Sequence, residues 1–368
     1  MCNSRSLLPF VLLFLGLTGL VQQGVAQAQS TSSNLLTAEA INQLQAKAQQ
    51  GDPVAQLGLG KAYEDGNGIS QSDKKALKWY LTAAEEGNAT AQNRVGLMFG
   101  AGRGVEKDKA EAAKWFRKAA KQEAPKAMFS LGTVYYNGDG VGIDDVASYA
   151  WFLLSQSFGN ENAADAVKRM KEEKGNLESE ALEKIGDMYQ RGDDLPQNSS
   201  EAIKWYRKAA ENGAEAMQVK LASLLLLKGQ SGTSNYAEAL GLCERAATSH
   251  YAPGAACMGV LYLGGLGIDQ NFPMAAKWFG EAASSGNALA MLRLGQMHWK
   301  GEGLKQDKTA AYEFIYLAAT SDLQEAKQEK ERLEKELTPK ELGKAKTKAA
   351  EWARQHPPLA LRRNPPKD

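Results

Sequence analysis

Residues that could carry out chemistry are few in this sequence. Its three histidines, His250, His298 and His356, have no partner at i,i+4 or metal-ligand spacing. Ser72-x-x-Lys75 formally matches the serine–lysine motif of penicillin-recognising enzymes, but the Ser-Asp-Asn and Lys-Thr-Gly segments that complete such a site are absent. Ser72 also precedes a predicted helix, where serine is a preferred N-cap. The sequence therefore predicts no catalytic residue, no metal site and no cofactor.

The elements that would position any site come from an internal repeat of small residues, glycines and aromatic residues. In its first copy the markers are Leu59-Gly60, Tyr63, Gly66, Gly68, Ala76, Trp79-Tyr80 and Ala83-Ala84. The glycine of the Leu-Gly pair recurs after 36 residues at Gly96 and again at Gly132, and the tryptophan keeps the same interval. Self-similarity at this period predicts a solenoid, because one short unit cannot bury its own apolar face.

Each marker has a predicted structural role. Gly60 lacks a side chain, so the two helices of a hairpin can approach closely. Gly66 and Gly68 permit the positive φ that a tight turn requires. Trp79 and Tyr63 are expected to fill the space between layers with large aromatic surfaces.

The string from Ala55 to Ala84 resembles the Sel-one-like repeat, a relative of the tetratricopeptide repeat, and the resemblance covers residues 37–356. It implies an all-α fold: an α/α solenoid, a right-handed superhelix of helix-turn-helix repeats with N- and C-terminal cap helices. Such families act as adaptors or receptors, often in the bacterial envelope, without catalytic residues of their own. Some secreted members are associated with β-lactam binding. Repeat five departs most, because Ala222 replaces the glycine and Leu242-Cys243 replaces the Trp-Tyr pair.

The repeat register divides the chain into seven segments. The 54-residue interval between Gly132 and Gly186 indicates an inserted half repeat. The predicted segments are a signal peptide (1–28), a linker (29–36), an N-cap helix with repeats one to three (37–159), the inserted half repeat (160–176), repeats four to seven (177–322), C-terminal cap helices (323–356) and a Pro-rich tail (357–368).

The first segment has the features of a secretory signal. Arg5 precedes an apolar stretch at 7–21, and Ala26-Gln27-Ala28 is a small-residue cleavage site. We expect cleavage after Ala28, which predicts a periplasmic or secreted protein with no membrane insertion; the alternative is an uncleaved anchor. Removing Arg5 leaves 43 basic and 43 acidic residues. This zero net charge argues against a nucleic-acid partner or an anionic membrane.

Two cysteines remain after cleavage. Cys243 lies in the second helix of repeat five and Cys257 in the first helix of repeat six, about equally far from the connecting turn. An oxidising compartment and an even count favour a disulfide. The alternative is two small core residues.

In related arrays, the first helix of each hairpin lines the inner, concave face. Within each repeat, the lining residues lie three before, one after and four after the residue that corresponds to Gly60. In repeats two to four these positions are polar or aromatic and include Asn93, Tyr136 and Asp187. In repeats five to seven they are almost wholly apolar and include Val219, Leu226, Val260, Leu263 and Trp299. A contiguous exposed apolar patch marks a partner site. The alternative is that tight curvature buries these residues.

These observations predict an exported, non-catalytic adaptor or scaffold that binds a protein or peptide through its concave face. The first alternative is a binder of cell wall or small molecules, including a weak hydrolase of the β-lactam type. The second is a structural spacer in an envelope complex.

Overall fold

The structure, a computed structural model, describes residues 35–228 and 233–355. Within these ranges the chain forms eighteen α-helices and no strand. The predicted all-α fold, a solenoid of helical hairpins, is confirmed. The predicted signal peptide and Pro-rich tail lie outside the described residues.

Contacts between helices divide the chain into two compact units, 1–108 and 109–368. The first unit contains α1 (Ala38–Gln49), α2 (Pro53–Asp65), α3 (Asp73–Glu85) and α4 (Ala89–Ala101). The second contains α5 (Lys109–Ala120), α6 (Pro125–Asn137), α7 (Asp145–Ser157), α8 (Glu161–Lys174), α9 (Glu178–Arg191), α10 (Ser199–Glu211), α11 (Glu215–Lys228), α12 (Thr233–Thr248), α13 (Ala252–Gly264), α14 (Phe272–Ser284), α15 (Ala288–Lys300), α16 (Lys308–Ala319), α17 (Gln324–Glu336) and α18 (Pro339–Gln355).

Helix boundaries follow local chemistry. Asn198 caps α10 by accepting hydrogen bonds from the backbone N–H groups of Ser200 and Glu201. The first helix of most repeats ends at a glycine in the left-handed region, such as Gly66 with φ 68° and Gly192 with φ 77°. Positive φ at the turn glycines is thus confirmed.

In repeats one, three, four and six, the hairpin closes where a glycine of the first helix faces an aromatic ring of the second helix. A Cβ built on Gly132 would lie 2.6 Å from the ring of Phe152, so only glycine fits there. The tryptophan beside that ring is also part of the core, since Trp151 is 1 % exposed. Trp79, by contrast, is only half-buried, while its neighbour Tyr80 is completely buried. The residue after the tryptophan therefore occupies the most deeply buried aromatic position in the first repeat.

Single helices stand outside the hairpin pattern. Helix α1 packs against α2, and α8 packs against α7 through the buried Ala163 and Met170. Helix α17 repeats this arrangement against α16 with Ala326 and Leu333. In α18, Lys346 takes the place that Gly186 has in α9, and its ammonium forms an ion pair with Glu334 at 3.6 Å. A charged residue thus replaces the glycine at this position of α18.

Repeat five closes differently. Ala222 and Cys243 occupy its glycine and aromatic slots, and Cys243 is completely buried. Cys243 forms a disulfide with Cys257 of α13, and the two Cα atoms are 5.7 Å apart. The bond links the second helix of repeat five to the first helix of repeat six.

Trp115 tests the contribution of the buried tryptophans to stability. It is 7 % exposed, and the ammonium of Lys118 lies 3.8 Å from its ring centroid. Trp115→Ala should lower the free energy of unfolding by about 3–5 kcal/mol, the usual cost of deleting a buried aromatic side chain. Lys118→Gln, which removes only the cation, should cost about 1 kcal/mol or less. Urea unfolding measures both, and equal losses for the two variants would contradict burial as the source of the stability.

Candidate functional site

The predicted inner-face residues lie on first helices, but the structure places them in different environments. Asn93 belongs to α4 in the first unit and is buried, with 7 % of its surface exposed. The other seven residues of the predicted site lie in the second unit and are half-buried. Asn93 is therefore packed rather than presented on an open surface.

Tyr136 is covered by the single helix α8. Its hydroxyl donates a hydrogen bond to the carboxylate of Glu173 at 2.5 Å, and the ammonium of Lys174 lies 5.8 Å from its ring centroid. Lys174 also forms an ion pair with Asp145 at 3.0 Å. The inserted helix thus occupies the position at which a partner would contact Tyr136.

Asp187 is the centre of an ion-pair cluster between neighbouring first helices. The ammonium of Lys220, on α11, contacts Asp187 and also Glu183, the latter at 3.1 Å. Asp187 further pairs with Arg191 at 3.2 Å and accepts a hydrogen bond from the Tyr206 hydroxyl. These contacts connect α9 to α11 and hold both helices against α10.

The pKa values of the cluster reflect these contacts. Burial raises the pKa of Asp187, but the hydrogen bonds from Lys220 and Tyr206 outweigh it and hold that pKa below its usual range. Burial and the hydrogen bond to Asp187 raise the pKa of Tyr206 far above its usual value. Asp187 is therefore ionised and Tyr206 neutral at neutral pH. The cluster is an ion pair that links neighbouring helices.

Apolar side chains follow directly beyond this cluster. Val219 and Leu226 on α11 and Val260 and Leu263 on α13 are half-buried, and we name these four residues the apolar inner surface. Helix α11 contacts α13, so the two pairs belong to neighbouring helices. Ala256 and Leu292, which lie three residues before the glycines Gly259 and Gly295 and so occupy inner-face positions of repeats six and seven, are buried in the core.

Trp299, the last predicted apolar residue, lies among cations. The Lys308 ammonium is 5.2 Å and the Arg332 guanidinium 5.3 Å from its ring centroid. Arg332 belongs to the cap helix α17 and is held by Glu329 and Glu336. The aromatic residue of repeat seven is thus packed by α17, as Tyr136 of repeat three is packed by α8.

The residues that the sequence analysis considered for catalysis or metal binding have structural contacts in the described part of the chain. The Ser72 side chain accepts a hydrogen bond from the Lys75 backbone N–H at 3.4 Å, which is the predicted N-cap contact. His298 stacks on Phe314 with ring centroids 5.7 Å apart. Residues 35–228 and 233–355 contain no group of three or more His, Cys, Asp or Glu placed to hold a metal ion. Across the same ranges, no helix is long and apolar enough to cross a membrane.

Comparison with known proteins agrees with the hairpin architecture. The model of the Sel1 repeat matches seven segments of the chain. Six of these segments each contain one hairpin of the structure, and the segment 89–123 contains α4 of the first unit and α5 of the second. The matched residues are 53–88, 89–123, 125–155, 179–213, 216–251, 255–287 and 288–323. The chain belongs to the Sel1 repeat family. Sel1 repeats generally mediate protein–protein interactions and are typically non-enzymatic scaffolds.

Solved structures of bacterial Sel1 proteins are similar to this chain. A protective antigen of uropathogenic Escherichia coli strains that displays an SLR fold shares 26% identity, with coverage of 90% of this chain and 76% of that chain and a TM-score of 0.47. A Sel1 repeat protein from Oxalobacter formigenes shares 30% identity, with 80% of each chain covered and a TM-score of 0.37. No curated protein matches the sequence.

One feature of the second unit has no counterpart in the sequence prediction. A cavity of about 360 Å³ lies where α7 and α10 end and α9 begins. The 54-residue interval was the only sequence signal of an irregularity there, and it indicated an extra helix rather than a cavity.

Asp187 should make a pH-dependent contribution to stability. Because its pKa is lowered in the folded protein, its stabilising effect is complete above the unfolded pKa of about 3.9 and is lost as the pH falls through the folded pKa. Asp187→Asn should therefore lower the free energy of unfolding at pH 7, and the difference from wild type should shrink below about pH 4. Urea unfolding from pH 3 to 7 measures this, with the exposed Asp193→Asn as control. A difference that is constant across that range would contradict the ion-pair assignment.

Proposed function

We propose that this Sel1 repeat protein is an exported, non-catalytic adaptor that binds a protein or peptide partner through the apolar inner surface. The observation that carries the proposal is the incomplete burial of Val219, Leu226, Val260 and Leu263, which are half-buried on neighbouring first helices. The apolar residues at the helix–helix contacts of the same repeats, such as Leu221 and Leu261, are completely buried. The four half-buried side chains thus keep an accessible part that a partner can contact.

The environment of this surface favours a polypeptide partner. On the side of repeat four it borders the cluster of Lys220, Asp187 and Glu183, whose charges are paired with one another. Apolar side chains bordered by polar groups resemble the centre and rim of a protein interface. Tyr136 and Trp299 are packed by α8 and α17, so they contribute less than repeats five and six.

Substitutions on this surface test the proposal. Affinity capture from envelope extract with mass spectrometry would first identify the partner. Leu263→Asp should then weaken partner binding by about tenfold or more, because it places a charge where an apolar contact is desolvated. Ile143→Asp is the matched control, since Ile143 is 59 % exposed and outside the surface. Titration calorimetry measures the binding, and circular dichroism shows whether each variant is folded. A folded Leu263→Asp variant with wild-type affinity would place the binding site elsewhere.

Export is supported by two independent features. Arg5, the apolar stretch at 7–21 and Ala26-Gln27-Ala28 form a signal peptide pattern. The disulfide between Cys243 and Cys257 is a bond that persists in oxidising compartments and is rare in the cytosol. Both are consistent with a periplasmic or secreted protein.

N-terminal sequencing of the protein purified from its own cells tests export. Cleavage after Ala28 predicts a mature chain that begins at Gln29. Fractionation should place this form outside the cytoplasm. A cytoplasmic product that begins at Met1 would contradict export.

A further inference from the structure

The cavity in the second unit has a cause in the chain path. Elsewhere in this unit, a short turn connects the second helix of one repeat directly to the first helix of the next repeat. Examples are the turns from α5 to α6 and from α10 to α11. After α7 that direct turn leads into α8, and α9 arrives later through residues 175–177. No turn therefore runs directly from α7 to α9 through the space between the ends of α7 and α10. A cavity of about 360 Å³ remains, within the range of small-ligand sites.

One wall of the cavity is apolar. Leu153 of α7, Leu182 of α9 and Trp205 of α10 line it. Leu182 and Trp205 are 4 % and 7 % exposed, so both are fixed by the surrounding core. This wall is a preformed apolar surface of small area, to which the half-buried Leu153 contributes.

A single cation lies beside that wall. The Lys208 side chain is exposed, and its ammonium lies 4.5 Å from the ring centroid of Trp205, which favours this position beside the wall. Among the described residues no carboxylate lies within 4.0 Å of this ammonium. Lys208 is thus positioned to pair with a ligand anion, and the side-chain amides of Gln156 and Asn212 in the same lining can donate hydrogen bonds to it.

Carboxylates complete the lining. Glu178 and Glu211 both contribute to it, and the nearest ion pair of Glu178 is with Lys171 at 3.7 Å. Two carboxylates beside one ammonium disfavour polyanions such as nucleotides. A purely apolar ligand would desolvate these charged groups without replacing their hydrogen bonds. The charges match a molecule that carries one anion, one cation and an apolar group.

We propose that this cavity binds a short zwitterionic peptide with apolar side chains. The ligand carboxylate pairs with Lys208, its ammonium group is directed toward Glu178 and Glu211, and a side chain packs on Leu153, Leu182 and Trp205. This site is separate from the apolar inner surface of repeats five and six.

Calorimetric titration of the protein with the dipeptide Leu-Leu tests the proposal. Leu-Leu should bind, whereas N-acetyl-Leu-Leu and Leu-Leu amide, which lack one charge each, should bind at least about tenfold more weakly. Lys208→Gln should weaken Leu-Leu binding by a similar factor. Lys118→Gln is the matched control, because Lys118 lies over Trp115 in the same way but outside this cavity. It should leave the affinity unchanged.

A cavity-blocking variant keeps the test decisive if Lys208→Gln does not fold. Ser157 is exposed at the end of α7 and contributes to the lining, so Ser157→Trp should obstruct the cavity without disturbing the core. This variant should abolish Leu-Leu binding and leave partner capture by the apolar inner surface intact. No binding of Leu-Leu at millimolar concentration, equal binding of the capped dipeptides, or wild-type affinity in a folded Lys208→Gln or Ser157→Trp variant would overturn the proposal.

Discussion

The close approach of a glycine to a side chain of the facing helix is the contact on which the remaining structure depends. A Cβ at Gly186 would lie 2.4 Å from the ring of Tyr206, and one at Gly259 would lie 2.6 Å from the ring of Phe279. Such distances leave no space for any residue other than glycine. The distance between the two helices of these hairpins and their register along each other are therefore fixed. Stacking, the ion pairs between neighbouring first helices and the exposure of the inner face all follow from that registration.

Repeat five shows how the contact can be replaced. With Ala222 in the glycine slot a ring would not fit, and the smaller Cys243 stands in its place. The loss of aromatic packing is offset by the covalent bond to Cys257, which constrains the unfolded chain. The disulfide joins the two repeats that carry the apolar inner surface. Repeat five, which lacks the glycine–ring contact, is thus joined covalently to repeat six at the proposed binding surface.

Much of the fold was predictable because its determinants are local and periodic. The 36-residue interval, the turn glycines and the N-cap at Ser72 each indicate structure within one hairpin, and the structure contains them. The site was less predictable, because burial depends on elements distant in sequence. Tyr136 is contacted by α8 and Trp299 by α17, and the cavity beside Trp205 lies where α8 diverts the chain. A repeat register assigns positions to a face but does not show which of them a neighbouring helix covers.

A double-mutant cycle between Gly186 and Tyr206 tests the central contact most directly. Gly186→Ala should lower the free energy of unfolding in the wild-type background, because the new Cβ overlaps the ring. In the Tyr206→Ala background the same substitution should be neutral or stabilising by up to about 1 kcal/mol, since alanine is the better helix former. The two effects should differ by at least about 1 kcal/mol, as expected for residues in contact. An equal cost in both backgrounds would contradict the account, because Gly186 would then be required for a reason other than the ring.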